Sequence, residues 1–153
     1  MSFLQRAVED FTYSNLLDYA SQTRDPVEQM AYVVAFSVSC YSSTAYRVGK
    51  PFNSLLGETY ECDRTDDMGW RCISEQVSHH PPGCSQYCES LRHKWKVWQD
   101  YFLSTKFRGK YLSISPKVFG ISLAMVTLEE EAERGKLELK VDVGGMIGIE
   151  EGG

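Results

Sequence analysis

The hydrophobic pattern changes its period once along this chain, and the change falls at Gly49–Gly57. Upstream, Phe3, Leu4, Ala7, Val8 and Phe11, then Leu16, Leu17 and Ala20, recur at spacings of three and four. That spacing puts them on one face of a helix. Downstream, apolar residues recur at every second position, the period of a half-buried strand. A chain that makes this switch once and does not return is confined to helices first and antiparallel strands afterwards. The expected class is therefore α+β, mainly antiparallel β.

Residues 2–22 predict a helical stretch broken near Thr12–Ser14. Asp25-Pro26-Val27-Glu28 predicts a second helix start: Asp25 can cap, Pro26 suits the first helical position and Glu28 can reach back. The second helix continues through Met30–Phe36 towards Cys40–Ser43. Its apolar residues wrap almost the whole circumference, which predicts burial on most sides. The Gly49–Gly57 stretch follows neither period and reads as a structured loop. Glu58–Asp63 and Trp70–Val77 then form a hairpin about Arg64–Gly69, followed by strands at Ser85–Leu91, Trp95–Phe107 and Lys110–Ser115. Arg92-His93-Lys94 and Arg108-Gly109 supply their turns. Ile121–Leu128 is apolar, Glu129–Gly135 is a charged turn, and Lys136–Val143 alternates cleanly. The Gly-rich end from Gly144 to Gly153 carries no packing signal. A closed barrel around one small ligand takes about eight strands. The seven counted here predict an open sheet. Alternation leaves both faces of Trp70–Val77 open as the inward one: Arg71, Ile73, Glu75 and Val77, or Trp70, Cys72, Ser74 and Gln76.

The 153 residues suit one domain, and the net charge of −5 argues against general nucleic-acid binding. Met1–Arg6 leads straight into the amphipathic pattern without a signal segment, and no apolar run approaches the ~20 residues of a membrane span. With an odd count of five cysteines, these features predict a cytoplasmic chain with free thiols.

His79, His80, Cys84 and Cys88 have zinc-ligand side chains but the wrong spacing, because adjacent residues on extended chain point apart and no Cys-x-x-Cys occurs. No cysteine follows an oxyanion-type glycine turn, and Gly-x-Ser-x-Gly, phosphate loops and His-Glu-x-x-His are absent. No catalytic residue, metal or cofactor is expected. Glu75-Gln76-Val77-Ser78-His79-His80-Pro81-Pro82 reads as a strand end that the prolines turn into a rigid loop. Taken alone it is an exposed polar turn. Paired imidazoles suit anions, since histidine beside a phosphate readily takes a proton and then donates from both ring nitrogens. Lys50 and Asn53 could add a cation and an amide to such a site. Taken alone, Lys50 is a solvated loop lysine.

Those eight residues resemble the signature of the oxysterol-binding protein family. Lys50-Pro51-Phe52-Asn53 with Leu55-Leu56-Gly57-Glu58-Thr59-Tyr60-Glu61 resembles the family's preceding loop. The likeness covers about residues 2–116, including Phe3-Leu4-Gln5-Arg6 and Lys106–Leu112. It implies two N-terminal helices followed by part of an incomplete β-barrel around a hydrophobic tunnel. It further implies a lipid carrier rather than an enzyme. Such a carrier binds sterol or another lipid, exchanges it with phosphatidylinositol 4-phosphate and makes peripheral contact with membranes, at endoplasmic reticulum and Golgi contacts. His79, His80, Lys50 and Asn53 inherit the role of holding the phosphoinositide head group.

Three departures accompany the likeness. Ser54 stands where the family usually has proline. The chain lacks the family's lid segment and the C-terminal part of the domain, with the downstream basic residues of the head-group site. Beyond Pro116 the likeness fades. The expected organisation is an N-terminal part of a lipid-binding domain at 1–116 and a divergent tail with two strands and a Gly-rich end at 117–153. Lipid transfer is expected to be impaired; the alternative is a fragment that no longer binds lipid and acts as an interaction or regulatory piece.

Overall fold

Ser2 starts the first helix by a reciprocal cap. Its hydroxyl accepts the Gln5 N–H at 3.3 Å, and the Gln5 side chain accepts the Ser2 N–H at 2.8 Å. The computed structural model describes residues 1–42, 49, 51–107, 112–125, 137–142 and 147–151, with side chains at 1–42, 49 and 51–102. Lys50, the turn expected at 108–109 and the charged turn expected at 129–135 lie outside the described residues. The first helical stretch is divided into α1 (Phe3–Val8), a 3-10 segment (Glu9–Tyr13) and α2 (Asn15–Gln22). The break falls where the spacing predicted it and swings Phe11 into the centre of the core.

Helix α3 (Pro26–Ser39) begins as expected, with the Asp25 carboxylate accepting the Val27 N–H at 3.0 Å and Pro26 in the first turn. Its burial differs from expectation. Gln29, Val33, Phe36 and Ser37 are buried, whereas Val27 and Val38 stay 76% and 64% exposed. An all-round apolar sequence does not bury all round; among the described residues α2 and the 3-10 segment make the main contacts with it.

The strands form one antiparallel sheet in sequence order, β1 to β7, and the sheet stays open. They are β1 (Thr59–Arg64), β2 (Trp70–His79), β3 (Pro82–Ser90), β4 (Trp95–Phe107), β5 (Leu112–Met125), β6 (Leu137–Asp142) and β7 (Ile147–Glu151). The count of seven holds, but its members change. The described residues of the expected strands Lys110–Ser115 and Ile121–Leu128 fall in one strand, β5, with Pro116 beside the register shift opposite Phe102 and Leu103. Proline is tolerated in a sheet at such an irregularity. The seventh strand, β7, comes from the Gly-rich end and pairs with β6 from Ile147↔Val141 to Glu151↔Leu137. The β1–β2 turn is closed by Gly69 at φ 79° and by Arg64 paired with Asp67.

Trp70, Cys72, Ser74 and Gln76 form the inward face of β2, and Arg71, Ile73, Glu75 and Val77 the outward one. The helices cover that inward face. Phe11 sits against Phe36, Trp70 and Trp95, with Leu17, Ala20, Val33, Cys88 and Val97 around them. A smaller cluster of Leu4, Ala7 and Cys84 lies below α1. On the outward face Asp63, Arg71, Glu89 and Lys96 stand opposite one another across β1–β4, alternating in sign. Arg71 Nε donates to Glu89 at 2.6 Å. The Tyr87 hydroxyl and then Arg71 hold the Glu89 carboxyl below its ordinary range.

Candidate functional site

The paired histidines sit at the tip of the β2–β3 hairpin. The prolines do not end the sheet in a loop, as the sequence suggested. β2 runs through His79, β3 starts at Pro82, and His79 pairs directly with Pro82. Only His80 and Pro81 make the turn, and the His80–Pro81 peptide is cis. Pro82 fits because the first residue of a strand can lack a donor.

An irregularity just before the tip decides where His79 points. Gln76 faces Cys84 and Ser78 faces Gly83, so Val77 has no counterpart on β3. Directly opposed residues share a face of the sheet. His79, opposite Pro82, therefore lies on the side of Cys84 and Gln76, the helix-covered side. Were Val77 matched by a residue on β3, His79 would follow Arg71, Ile73 and Glu75 outward. The Gln76 side chain steadies this bulge by donating to the Ser78 carbonyl at 2.7 Å. Bulges of this kind re-aim side chains. His79 is half-buried and His80 exposed, with ring centroids 6.5 Å apart and planes at 50°.

Asn53 lies on the strap 51–58 that joins the helices to β1. The strap is tied at both ends. Phe3 N–H donates to the Phe52 carbonyl at 2.9 Å and Phe52 N–H to the Met1 carbonyl at 3.1 Å. Gly57 N–H donates to the Gln76 carbonyl at 2.9 Å, and Gln76 N–H to the Glu58 carbonyl at 3.0 Å. These last bonds extend the β1–β2 ladder to within three residues of His79. The structure thus brings the strap and the histidine hairpin side by side. Among the described residues no hydrogen bond joins Asn53 to either imidazole. Ser54 is 2% exposed, and its hydroxyl has no partner among the described residues.

Behind His79 lies a polar band that the sequence reading missed. On the inward face, Ser74, Gln86 and Gln99 stand opposite one another, and beside them Gln76, Cys84 and Tyr101. The Tyr101 hydroxyl lies 2.6 Å from Asp10 Oδ2 and 2.7 Å from the Gln99 amide. Burial first, and then the Asp10 charge, push the Tyr101 phenol well above its ordinary value. Glutamines at core parity within otherwise apolar strands were the available signal.

Cys84 and Cys88 face inward, opposite Gln76 and Cys72. Burial pushes the Cys84 thiol up to about 12. Burial also raises Cys88, which donates to Cys72, and that bond lowers Cys72. Among the described residues no group of three His, Cys, Asp or Glu is placed to hold a metal. A cleft of about 320 Å³ opens on the outward face between Glu61, Arg71, Ile73, Tyr87 and Glu89. Arg71 and Glu89 pair within it, and it lies away from the hairpin tip.

Helices laid over one face of an open antiparallel meander, with a histidine pair at a hairpin tip, define the class. The family model described as Oxysterol-binding protein matches residues 1–135. The chain belongs to the oxysterol-binding protein family. It is 53% identical over 116 residues to oxysterol-binding protein 2 of Mus musculus, covering 76% of this chain and 13% of that protein. It is 54% identical over 117 residues to oxysterol-binding protein-related protein 7 of Homo sapiens, covering 76% of this chain and 14% of that one. The crystallised Osh1 ORD domain in complex with cholesterol matches with a TM-score of 0.79 and 33% identity, over 100% of this chain and 37% of that one. The Osh3 ORD from Saccharomyces cerevisiae in complex with PI(4)P matches with a TM-score of 0.69 and 31% identity, over 99% and 40%. The chain thus spans a small part of its curated relatives and well under half of these crystallised domains.

Proposed function

We propose that this chain contributes the helices, first strands and head-group hairpin of a domain that binds sterol and exchanges it with phosphatidylinositol 4-phosphate between membranes. The observation that carries the reading is a pair of likenesses. The whole chain matches domains crystallised with a sterol and with PI(4)P, at 33% and 31% identity. His79, His80, Lys50 and Asn53 hold the inositol phosphate. Two imidazoles at 50° to each other can donate to one phosphate from two sides. The apolar lipid body supplies most of the gross affinity, at about 25 cal/mol per Å² buried, and the polar cluster selects the head group. The chain works at the cytoplasmic surface of membranes, including endoplasmic reticulum and Golgi contacts, as a carrier and not an enzyme. No helix among the described residues is long and apolar enough to cross a membrane.

The test is a titration of the chain with a fluorescent sterol and, separately, with liposomes containing phosphatidylinositol 4-phosphate. His79→Ala with His80→Ala abolishes phosphoinositide binding and spares sterol. Lys50→Ala and Asn53→Ala each weaken it about ten-fold or more, the size of one charge-assisted hydrogen bond. Unchanged phosphoinositide affinity in the histidine variant removes both residues from the site.

A further inference from the structure

The strap 51–58 is packed inside out. Its small polar residue, Ser54, is buried, while Phe52, Leu55 and Leu56 are 78%, 75% and 62% exposed. Met1, whose carbonyl accepts the Phe52 N–H, is 62% exposed as well, and Val77 beside the strap is also open. Scattered exposed leucines are ordinary, but adjoining ones on a pinned segment are not. The pinning is complete on both sides of the leucines. Leu55 N–H donates to the Glu58 carboxylate at 2.7 Å, and Glu58 N–H to the Leu55 carbonyl at 3.0 Å. Gly57 turns the chain at φ 77° and is bonded to Gln76. The backbone of this turn makes its bonds internally, so it can leave water without stranding these donors.

We propose that Phe52, Leu55 and Leu56, with Met1, form a knob that inserts into the surface of a lipid bilayer and docks the chain there. Three observations favour a bilayer over other occupants. The leucines stand open to water on a turn, so a small molecule would have little there to enclose it. The related domains carry cholesterol, ergosterol and PI(4)P, lipids that must leave and enter a bilayer. The knob also adjoins the His79–His80 hairpin, so insertion would hold those imidazoles at the depth of the head groups. Apolar side chains on a surface element enter the boundary between head groups and acyl chains. The proposal deepens the lipid-binding reading and rests on it for the choice of partner.

The test uses the full chain and vesicles of pure phosphatidylcholine, with and without phosphatidylinositol 4-phosphate. Leu55→Ser with Leu56→Ser is expected to reduce partition onto both kinds of vesicle at least about ten-fold. Its thermal unfolding should match the parent chain, because both side chains are already in water. His79→Ala with His80→Ala should remove only the increment that phosphoinositide adds. Leu56→Trp should be quenched by lipids brominated near the top of the acyl chain. Partition that survives in the serine variant, or a Leu56→Trp signal that bound brominated vesicles leave unquenched, overturns the proposal. So does a lipid-independent dimer that the serine variant abolishes without loss of vesicle binding, which assigns the knob to a second copy. Quenching on neutral vesicles without any sterol or phosphoinositide binding would sink the ligand reading and leave the docking surface standing.

Discussion

The ring of Phe11 lies parallel to that of Trp95, with centroids 6.3 Å apart and 2° between the planes. One residue comes from the 3-10 segment and the other from the start of β4, so this stack couples the helices to the sheet. Trp95 is fixed in turn by its indole N–H, which donates to Asp18 on α2 at 2.8 Å.

Phe11→Ala should therefore loosen both layers together. The expected cost is about 3–5 kcal/mol, the range for emptying a buried aromatic site. Equilibrium urea unfolding measures it. A cost below about 1 kcal/mol would mean that the helices and sheet do not share this core.

Ser54 offers the opposite sign. Its buried hydroxyl has no partner among the described residues, and an unmade buried hydrogen bond costs roughly 1–3 kcal/mol. Ser54→Ala is expected to raise the melting temperature, with a gain of about 1 kcal/mol. A lower melting temperature would show that the hydroxyl is bonded after all.

Gly83 has no room for a side chain. A Cβ there would come within 2.6 Å of the Phe102 ring. Gly83→Ala should destabilise by about 1–3 kcal/mol, the range for overpacking, and weaken phosphoinositide binding because Gly83 adjoins the hairpin tip. Adding Phe102→Leu should recover part of the stability loss. A purely additive double-mutant cycle would remove the ring contact as the cause.

Stability should fall at alkaline pH through Tyr101 and Tyr87. Tyr101 is raised well above its ordinary value by burial and Asp10, and Tyr87 to about 12 by burial and Glu89. A raised pKa means that the folded chain keeps protons which the unfolded chain gives up. Stability is thus full below the unfolded value of about 10 and falls as pH rises from there through the folded values. Tyr101→Phe should flatten part of that decline. The same variant should lose about 1–3 kcal/mol at neutral pH by taking a donor from Asp10. Unfolding followed from pH 7 to 11 reads both effects.

The thiols should respond slowly to a disulfide reagent at pH 8. Cys84 and Cys88 are buried and raised by that burial, while Cys62, half-buried at the sheet edge, should label first. Fast labelling of Cys84 ahead of Cys62 would contradict the packing of β3 under α1.

The helix-then-strand plan was legible because period is a local property: Asp25-Pro26 and Gly69 mark real boundaries. What stayed hidden depended on partners distant in sequence. Val27 and Val38 are exposed because burial is set by what packs against α3, which its own apolar circumference could not reveal. The segments on either side of Pro116 join in β5 because β4 is long enough to pair across it. Of the candidate site, the family likeness singled out the histidines and Asn53, whose segments lie side by side in the structure. The polar band of Gln76, Gln86, Gln99 and Tyr101 was not, since inward polar residues break the rule by which inward positions are found.

The unmatched Val77 gives the hairpin a phase. Up to Gln76 even-numbered side chains face the helices, and beyond it His79 takes that side while Ser78 takes the other. Information at this tip therefore resides in length as well as in residue identity. Inserting one residue between Gly83 and Cys84 would give Val77 a counterpart and keep both imidazoles, both prolines and the turn, yet exchange the sides they occupy. A change that preserves every chemical group could thus erase the site, whereas replacing Val77 with another residue of similar bulk would leave the frame intact.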